Sequence, residues 1–208
     1  MKKNISRKNW IQNQHKDQYF KKSQILGYRS RSAFKLIELD KKFKFLKNGI
    51  KLLDVGSFPG GWCQVAKAKI KNGKILGIDK KKIEEIRGVK FIKGDFLDEK
   101  SKKIIIEYFN SSIDVILSDM AVNSSGHRFT DQANAEKVYY LAKEFALKYL
   151  KKNGSFVCKF FRNSLEKTIL QNIKQKFNLV KIYKPNSSRK DSKEIYLIAI
   201  GFNNLHKV

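Results

Sequence analysis

Cysteine is scarce in this 208-residue sequence: Cys63 and Cys158 are the only two, and they lie far apart. They form no CxxC pair, so the sequence indicates neither a zinc site nor a disulfide framework. The three histidines also lack the spacing of metal ligands, and we expect no bound metal. Two isolated cysteines are typical of small buried hydrophobic residues in a reducing, intracellular protein.

Long apolar runs are missing as well. No stretch approaches the ~18 uninterrupted apolar residues of a membrane span, and the first residues lack the apolar segment of a signal peptide. We therefore expect a soluble, cytoplasmic protein with no membrane partner, and we treat it as a monomer. The length suffices for one α/β domain with a full hydrophobic core and is too short for two of ordinary size.

Acidic residues are few: 19 Asp and Glu stand against 45 Lys and Arg, for a formal net charge of +26. The basic residues are spread along the whole sequence, which favours a polyanionic partner. Only 7 of the 45 are arginine and the chain has only two prolines, a bias that an AT-rich coding sequence would also produce. The sign of the charge is therefore informative, whereas part of its size reflects composition.

Short apolar runs alternate with longer segments of helical period from about residue 50 onward, as in a doubly wound α/β sheet. The last two strands are joined by the ten residues from Lys184 to Lys193, too few for a crossover helix, so we expect them to pair antiparallel. The predicted strands lie near 50–55, 74–79, 89–93, 113–118, 154–161, 178–184 and 194–202, and the predicted helices near 62–71, 82–87, 98–110, 133–151 and 164–176.

A basic extension, residues 1–46, precedes this core at 50–202. An apolar stripe in it predicts a helix at 31–46, with Ser30 or Ser32 as the N-terminal cap. We predict that extension and core together make one domain over 1–208.

A buried strand runs into a glycine-rich turn and then a helix between Leu52 and Trp62. Such a turn lets a ligand approach the backbone closely at the carboxyl edge of a sheet. Its glycines, at 56, 60 and 61, do not follow the GxGxxG spacing of dinucleotide enzymes, which disfavours an NAD oxidoreductase. Taken alone, the motif is as consistent with a plain tight turn.

Two carboxylates follow the next two strands. Asp79 ends the second strand, where it can accept hydrogen bonds from both ribose hydroxyls of a nucleoside, and Asp95 follows the third, placed to meet an adenine amino group. Either residue could instead be a helix cap or a turn former. The glycine-rich turn and these two carboxylates are three features in succession on one sheet edge, and together they favour an adenosine pocket.

Five ordered blocks resemble the FtsJ/RrmJ family of 2′-O-ribose RNA methyltransferases, most closely its members that act on large-subunit ribosomal RNA. The likeness begins at Asn9 and reaches Gly201. The blocks are Arg29-Ser30-Arg31-Ser32-Ala33-Phe34-Lys35-Leu36, Pro59-Gly60-Gly61-Trp62, Ser118-Asp119-Met120-Ala121, Phe156-Val157-Cys158-Lys159, and Lys184-Pro185 through Ser187-Ser188-Arg189 to Ser192-Lys193-Glu194.

The resemblance implies a Rossmann-like class I methyltransferase fold, a seven-stranded and mostly parallel sheet whose last strand is antiparallel. It also implies S-adenosyl-L-methionine as cofactor. The catalytic tetrad carried over by motif is Lys35, Asp119, Lys159 and Glu194, and the cofactor contacts are Gly60, Trp62, Asp79, Asp95 and Asp119.

The sequence departs from the family at two places. Val122 stands where the family usually has proline, which loosens the turn after Asp119, and Ser57-Phe58 replaces small residues, which narrows the methionine end of the pocket.

Lys159 lies inside an apolar strand, where a solvated lysine would be out of place. A ribose hydroxyl is a poor nucleophile, so its methylation needs proton removal and in-line positioning. Desolvation and the Lys35 cation would favour a neutral Lys159 that acts as base, whereas Asp119 and Glu194 would favour a charged one that holds the oxygen. Both roles stay open. Outside the family motif, Lys35 would be interpreted as a helix lysine that extends to water, and Glu194 as a partner of Lys193 or a cap of the hairpin.

Basic residues flank the catalytic group at both ends of the chain, and we expect them to contact the RNA backbone. Three aromatic residues near them could stack on bases or pack in the core. Besides ribosomal RNA in the large subunit, the alternatives are a transfer RNA anticodon loop and a ribosome-assembly protein that has lost catalysis. The basic residues are Arg7, Lys8, Lys16, Lys21, Lys22, Arg29, Arg31, Arg189 and Lys190, and the aromatic ones are Tyr19, Phe20 and Tyr28.

Overall fold

The computed structural model describes residues 17–110, 112–121, 125–161, 166–189 and 191–203. In these ranges the helices are α1 (Gln18–Ile25), α2 (Ala33–Phe43), α3 (Gly61–Lys69), α4 (Glu99–Phe109), α5 (Arg128–Tyr149) and α6 (Glu166–Lys174). The strands are β1 (Lys51–Val55), β2 (Lys74–Asp79), β3 (Lys90–Lys93), β4 (Ile113–Ser118), β5 (Leu150–Phe161), β6 (Phe177–Tyr183) and β7 (Glu194–Phe202).

The seven strands form one sheet in the order β3-β2-β1-β4-β5-β7-β6. The pairs from β3 through β5 are parallel, whereas β7 lies between β5 and β6 and is antiparallel to both. This confirms the predicted Rossmann-like sheet with a reversed last strand. The short connection between β6 and β7 explains the reversal, because it leaves no room for a crossover helix.

Helices cover both faces of the sheet, which explains why its strands are nearly continuous apolar runs. Successive strand residues point to opposite faces. Leu117 packs on one face with Leu36 of α2 and other residues of α2 and α3. Ile116 packs on the other face with Phe145 of α5 and with residues of α4 and α6. Within the described residues, no helix combines the length and the apolar character that crossing a membrane requires.

The N-terminal helices differ in part from the prediction. The sequence analysis missed α1, whose start is fixed by the Asp17 carboxylate accepting from the amides of Tyr19 and Phe20 at 3.0 and 3.2 Å. The predicted helix at 31–46 forms as α2. Ser32 precedes it, but its side chain makes no cap bond and lies 2.7 Å from the hydroxyl of Ser30. Ser32 thus occupies the predicted cap position, but the predicted capping hydrogen bond does not form.

The predicted short helix at 82–87 is also wrong, because this segment carries no helical turn. Two of its carbonyl groups, those of Glu84 and Glu85, accept hydrogen bonds from the guanidinium of Arg29. These carbonyls are thus held by a side chain from another part of the chain, and Ile83 beside them is buried.

Candidate active site

The carboxyl ends of β1, β2 and β4 meet at one edge of the sheet, where a cleft of about 540 Å³ opens. From the neighbouring strands β1 and β4 the chain continues to helices on opposite faces, α3 and α5. A doubly wound sheet leaves its ligand crevice at this kind of switch point. Both predicted strand-end carboxylates, Asp79 and Asp95, line the cleft, as does Asp119.

Glycine is required in the turn between β1 and α3. Gly56 has φ +73°, and a Cβ there would lie 2.1 Å from Cγ of Met120. Gly60 has φ +107°, and a Cβ there would lie 2.9 Å from Nη1 of Arg29. Neither position therefore admits a side chain without displacing its neighbour. Gly56 lines the cleft, whereas Gly60 shapes the turn behind it.

Asp79 at the end of β2 is tied to the glycine turn. Its carboxylate accepts from the amide of Phe58 at 3.1 Å and from the amide of Lys81 at 2.8 Å. The side chain thus acts as a turn former while it also lines the cleft, so the two interpretations of this residue are compatible.

Asp95 is the second carboxylate of the cleft. It accepts from the amide of Leu97 at 3.0 Å and pairs with Nζ of Lys80 at 2.9 Å. Burial alone would raise the pKa of Asp95, but the hydrogen bonds from Lys80 and Leu97 outweigh it and hold the pKa below its ordinary value. Asp95 is therefore an ionised acceptor at neutral pH.

Lys159 is buried in β5, with 8% of its surface exposed. Its ammonium donates to the main-chain oxygen of Asp119 at 2.8 Å and lies 3.1 Å from the carboxylate Oδ1 of the same residue. A buried lysine needs such a partner, since an unpaired charge in the interior is costly.

The second pair of the predicted tetrad joins α2 to the start of β7. Nζ of Lys35 lies 2.5 Å from Oε1 of Glu194, which also accepts from the hydroxyl of Ser188 at 3.0 Å. Glu194 therefore pairs with Lys35, another residue of the predicted tetrad, whereas outside the family motif it was expected to pair with its neighbour Lys193.

Tyr196 connects the two pairs, and the sequence analysis missed it. Its hydroxyl donates to Oδ1 of Asp119 at 2.7 Å, and its ring centre lies 5.8 Å from Nζ of Lys35. Burial and the neighbouring carboxylates of Asp119 and Glu194 raise the pKa of Tyr196 well above its ordinary value, so it stays a donor. The signal was available, because Tyr196 follows Glu194 by two residues and so shares its face of the strand.

The Asp119 carboxyl group lies among positive charges. Burial alone would raise its pKa, but the cations of Lys159 and Lys35 and the hydrogen bond from Tyr196 outweigh burial and lower it. Asp119 is therefore an anion throughout the neutral range, and it holds the Lys159 ammonium in place.

Three of the four tetrad residues lie at two different openings of the surface, whereas Lys159 is not among the described residues that line either one. Asp119 lines the large cleft beside Asp79 and Asp95. Lys35 and Glu194 line a second cleft of about 420 Å³, together with Arg31, Arg189, Asp191 and Ser192. A chain of contacts, from Lys35 past Tyr196 to Asp119, joins the second cleft to the first.

Trp62, a predicted cofactor contact, is buried behind the turn. Its Nε1 donates to the main-chain oxygen of Ser32 at 2.8 Å, and its ring borders a small space beside Asp119. Neither Gly60 nor Trp62 is among the described residues that line the large cleft, so their contact with cofactor stays a prediction. Phe58 lies at the mouth of the cleft, with Lys81 Nζ 4.9 Å from its ring centre. Val122 lies outside the described residues.

Asp54, one residue before the end of β1, is a further acidic residue that the sequence analysis did not single out. It is fully buried and accepts a hydrogen bond from the thiol of Cys63 at 3.3 Å. Burial raises the pKa of Asp54 to about 7, and the charges of Asp119 and Asp79 add to the rise. Cys63 and Cys158 are both free and buried, in agreement with their predicted role as small core residues.

We expect Asp54→Asn to remove a pH-dependent loss of stability. The folded protein holds a proton on Asp54 up to about pH 7, whereas the unfolded chain releases it near pH 4. The contribution of Asp54 to stability is thus full below pH 4 and is lost as the pH rises to 7, by about 1.4 kcal/mol per pH unit at most. Denaturant unfolding of both proteins at several pH values measures this difference. A wild-type minus variant free energy that is flat from pH 4 to 7 would contradict it.

Comparison with known proteins decides the family of the chain. The family described as FtsJ-like methyltransferase matches residues 28–202. The chain belongs to this family. The FtsJ-like methyltransferase match spans β1 to β7 and the tetrad, and it confirms that the protein is a methyltransferase rather than a dinucleotide oxidoreductase.

Relatives of this FtsJ-like methyltransferase extend the likeness to nearly the whole chain. A protein of Rickettsia akari named ribosomal RNA large subunit methyltransferase E is 43% identical to this chain, over 96% of the chain and 91% of the relative. A protein of the same name from Pelagibacter ubique is 46% identical, over 95% of the chain and 98% of the relative. A solved ribosomal RNA methyltransferase from Plasmodium falciparum is 36% identical, with a TM-score of 0.77 over 84% of this chain and 98% of that one.

Proposed function

We propose that this methyltransferase transfers a methyl group from S-adenosylmethionine to a ribose 2′-hydroxyl in large-subunit ribosomal RNA. One observation carries the proposal: a connected group of side chains lies between the two clefts, and its members are Lys35, Asp119, Lys159 and Glu194. The first cleft is lined by aspartates and apolar residues, and the second contains arginine and lysine. Such a group can meet a nucleoside cofactor on one side and a phosphate-bearing substrate on the other.

The large cleft fits the cofactor in size and in chemistry. Its volume lies within the range of ordinary small-molecule sites, and apolar residues such as Ile78 and Leu141 share its wall with the carboxylates. Asp79 would accept from the ribose hydroxyls, Asp95 from the adenine amino group, and Asp119 from the opposite end of the cofactor. When bound, S-adenosylmethionine supplies an electrophilic methyl group on a sulfonium.

The tetrad would orient the ribose hydroxyl and manage its proton. Asp119, held as an anion, fixes Nζ of Lys159 in one position. From there Lys159 either accepts the hydroxyl proton as a neutral amine or holds the oxygen as an ammonium. Lys35 and Glu194 would position the substrate from the second cleft. Proximity and orientation of this kind reduce the barrier without any covalent step on the protein.

The second cleft and its surroundings would bind the RNA backbone. Lys35 and Arg189 present cations there, and backbone contacts of this kind position RNA without reading its sequence. Tyr19 and Tyr28 pack against the ring of Phe34, which favours the packing interpretation of these two aromatic residues. The expected RNA contacts Arg7, Lys8, Lys16 and Lys190 lie outside the described residues.

The names of the relatives favour ribosomal RNA of the large subunit over a transfer RNA anticodon loop. The complete tetrad argues against an assembly protein without catalysis. One experiment separates these three functions: ribosomal RNA methylation, transfer RNA methylation and assembly without catalysis. Methyl-labelled cofactor would be incubated with the protein and either large ribosomal particles or transfer RNA, both from a strain lacking the gene. We expect label in the particles. Label only in transfer RNA would support the first alternative, and label in neither the second.

Asp79→Ala should weaken the binding of both S-adenosylmethionine and its demethylated product. The variant loses charge-assisted bonds to the ribose, which are worth about 1–3 kcal/mol. Calorimetric titration of both ligands measures the loss, with Asp98→Ala as a control carboxylate beyond the cleft wall. Unchanged affinity in Asp79→Ala would remove this residue from the site, and tight binding of NAD by the wild type would refute the assigned cofactor.

A further inference from the structure

The segment 27–32, which joins α1 to α2, passes over the cofactor turn and α3. Gln64 of α3 donates to the main-chain oxygen of Gly27 at 3.0 Å and accepts from the amide of Arg29 at 2.8 Å. Trp62 donates to the oxygen of Ser32 at the other end of the segment. The segment is therefore fixed on the helix that follows the glycine turn.

The side chain of Arg29 reaches from this segment to both sides of the turn. Nη1 donates to the oxygen of Glu84 at 2.7 Å and to the oxygen of Pro59 at 3.3 Å, and Nη2 donates to the oxygen of Glu85 at 2.8 Å. One planar guanidinium thus joins the glycine turn to the segment after β2. A lysine could not do so, because its ammonium is a single point with no second nitrogen.

The two elements that Arg29 joins are also the two that flank Asp79. The amide of Phe58, next to Pro59 in the turn, donates to the Asp79 carboxylate, and the chain from Asp79 leads within a few residues to Glu84. The guanidinium is in contact distance of Gly60, where a Cβ would collide with it. The three bonds of Arg29 therefore add a second link between the turn and the segment after β2, on either side of Asp79.

Arg31, two residues later, is bound to different partners. Its guanidinium donates to the carboxylate of Asp17 and to the main-chain oxygen of Ser187, and it lines the second cleft. Arg29 is not among the described residues that line that cleft. The two arginines of one sequence block therefore have different surroundings: Arg31 lines the second cleft, whereas Arg29 is bound to main-chain oxygens beside the glycine turn.

We propose that Arg29 is a positioning residue of the cofactor cleft and not a contact to RNA. It holds Pro59 of the turn against Glu84 and Glu85, and through them it sets the place of Asp79 for the cofactor. This inference rests on the proposed cofactor site, and it departs from the expectation that Arg29 and Arg31 share one role toward RNA.

The matched pair Arg29→Lys and Arg31→Lys tests the proposal. Arg29→Lys keeps the charge but loses the fork, so its affinity for S-adenosylhomocysteine should fall at least about 5-fold, with a rise in cofactor KM that exceeds any change in kcat. Its affinity for a large-subunit ribosomal RNA fragment should stay within about twofold of wild type, since a lysine preserves phosphate attraction. Arg31→Lys should keep the wild-type affinity for S-adenosylhomocysteine.

Two results would overturn the proposal: wild-type affinity for S-adenosylhomocysteine in Arg29→Lys, or a loss of RNA affinity in that variant with cofactor affinity intact. If Arg29→Lys does not fold, Gln64→Ala decides, because it removes the two bonds that hold Gly27 and the main chain of Arg29 on α3 and leaves the guanidinium unchanged. Gln64→Ala should also lower the affinity for S-adenosylhomocysteine, and unchanged affinity would overturn the proposal. Failure of the wild type itself to bind S-adenosylhomocysteine would instead refute the proposed function.

Discussion

Lys159→Met should lower the single-turnover rate of methyl transfer by at least about 10²-fold, the usual loss for a positioned acid or base group. Methionine keeps the unbranched chain in β5 but removes the nitrogen that binds Asp119 at 2.8 and 3.1 Å. Cofactor binding should persist, because Asp79 and Asp95 line the cleft independently of β5. The melting temperature should fall, since Asp119 loses a buried partner.

A second variant separates the two roles that Lys159 could have. Lys159→Arg keeps a cation that cannot give up its proton near neutral pH, so its activity should be nearly as low if the residue acts as base. Activity in the Lys159→Arg variant would restrict the role to holding the oxygen. Lys152→Met changes an exposed lysine of the same strand and serves as control. Full activity of Lys159→Met would remove this residue from catalysis.

Asp119→Asn should also cost at least about 10²-fold in methyl transfer, for a different reason. The amide keeps the size of the side chain, and its oxygen can still accept from the hydroxyl of Tyr196. Nζ of Lys159 keeps its bond to the main-chain oxygen but loses the attraction of the carboxylate, and misplaced catalytic groups lose rates of this order. Because the pKa of Asp119 is lowered, the wild type keeps this anion over the whole neutral range.

Asp114→Asn is the matched control, since Asp114 lies on β4, the strand that Asp119 directly follows, and pairs with Lys151 away from both clefts. The two variants would be compared at pH 7 to 9 in single-turnover assays at saturating cofactor. We expect a large loss for Asp119→Asn and none for Asp114→Asn. Equal activity of the two variants would exclude the charge of Asp119 from the mechanism.

Much of the sheet follows from apolar runs because each central strand is buried on both faces. The two helix errors have different causes. The start of α1 is fixed by a local cap, the Asp17 carboxylate, which the sequence analysis overlooked. The segment 82–87 forms no helix, and the guanidinium of Arg29 binds two of its carbonyl groups from a distant part of the chain. Local sequence patterns carry no information on that second kind of pairing.

The candidate site also contains residues that the sequence predicted and residues that it did not. Strand ends and family motifs point to Asp79, Asp95 and the tetrad, because each of these residues lies in or directly beside a single strand or helix that the sequence predicts. Tyr196 was not predicted as a site residue, because its contact with the tetrad depends on the register that places it opposite Lys159 in the antiparallel pair. Arg29 was grouped with the RNA contacts because charge alone does not tell which partner a guanidinium meets. The hydrogen bonds identify the partners of both residues, whereas the sequence indicated only that Tyr196 shares a strand face with Glu194.

The most direct test of the account is the chemical position of the transferred methyl group. Large ribosomal particles from a strain lacking the gene would be treated with the protein and methyl-labelled S-adenosylmethionine, and their RNA would be hydrolysed with alkali. Alkaline cleavage needs a free 2′-hydroxyl, so a 2′-O-methyl group protects the adjoining bond. We predict that the label appears in alkali-resistant dinucleotides of the large-subunit RNA. Label recovered in mononucleotides, as a methylated base would give, would contradict ribose methylation.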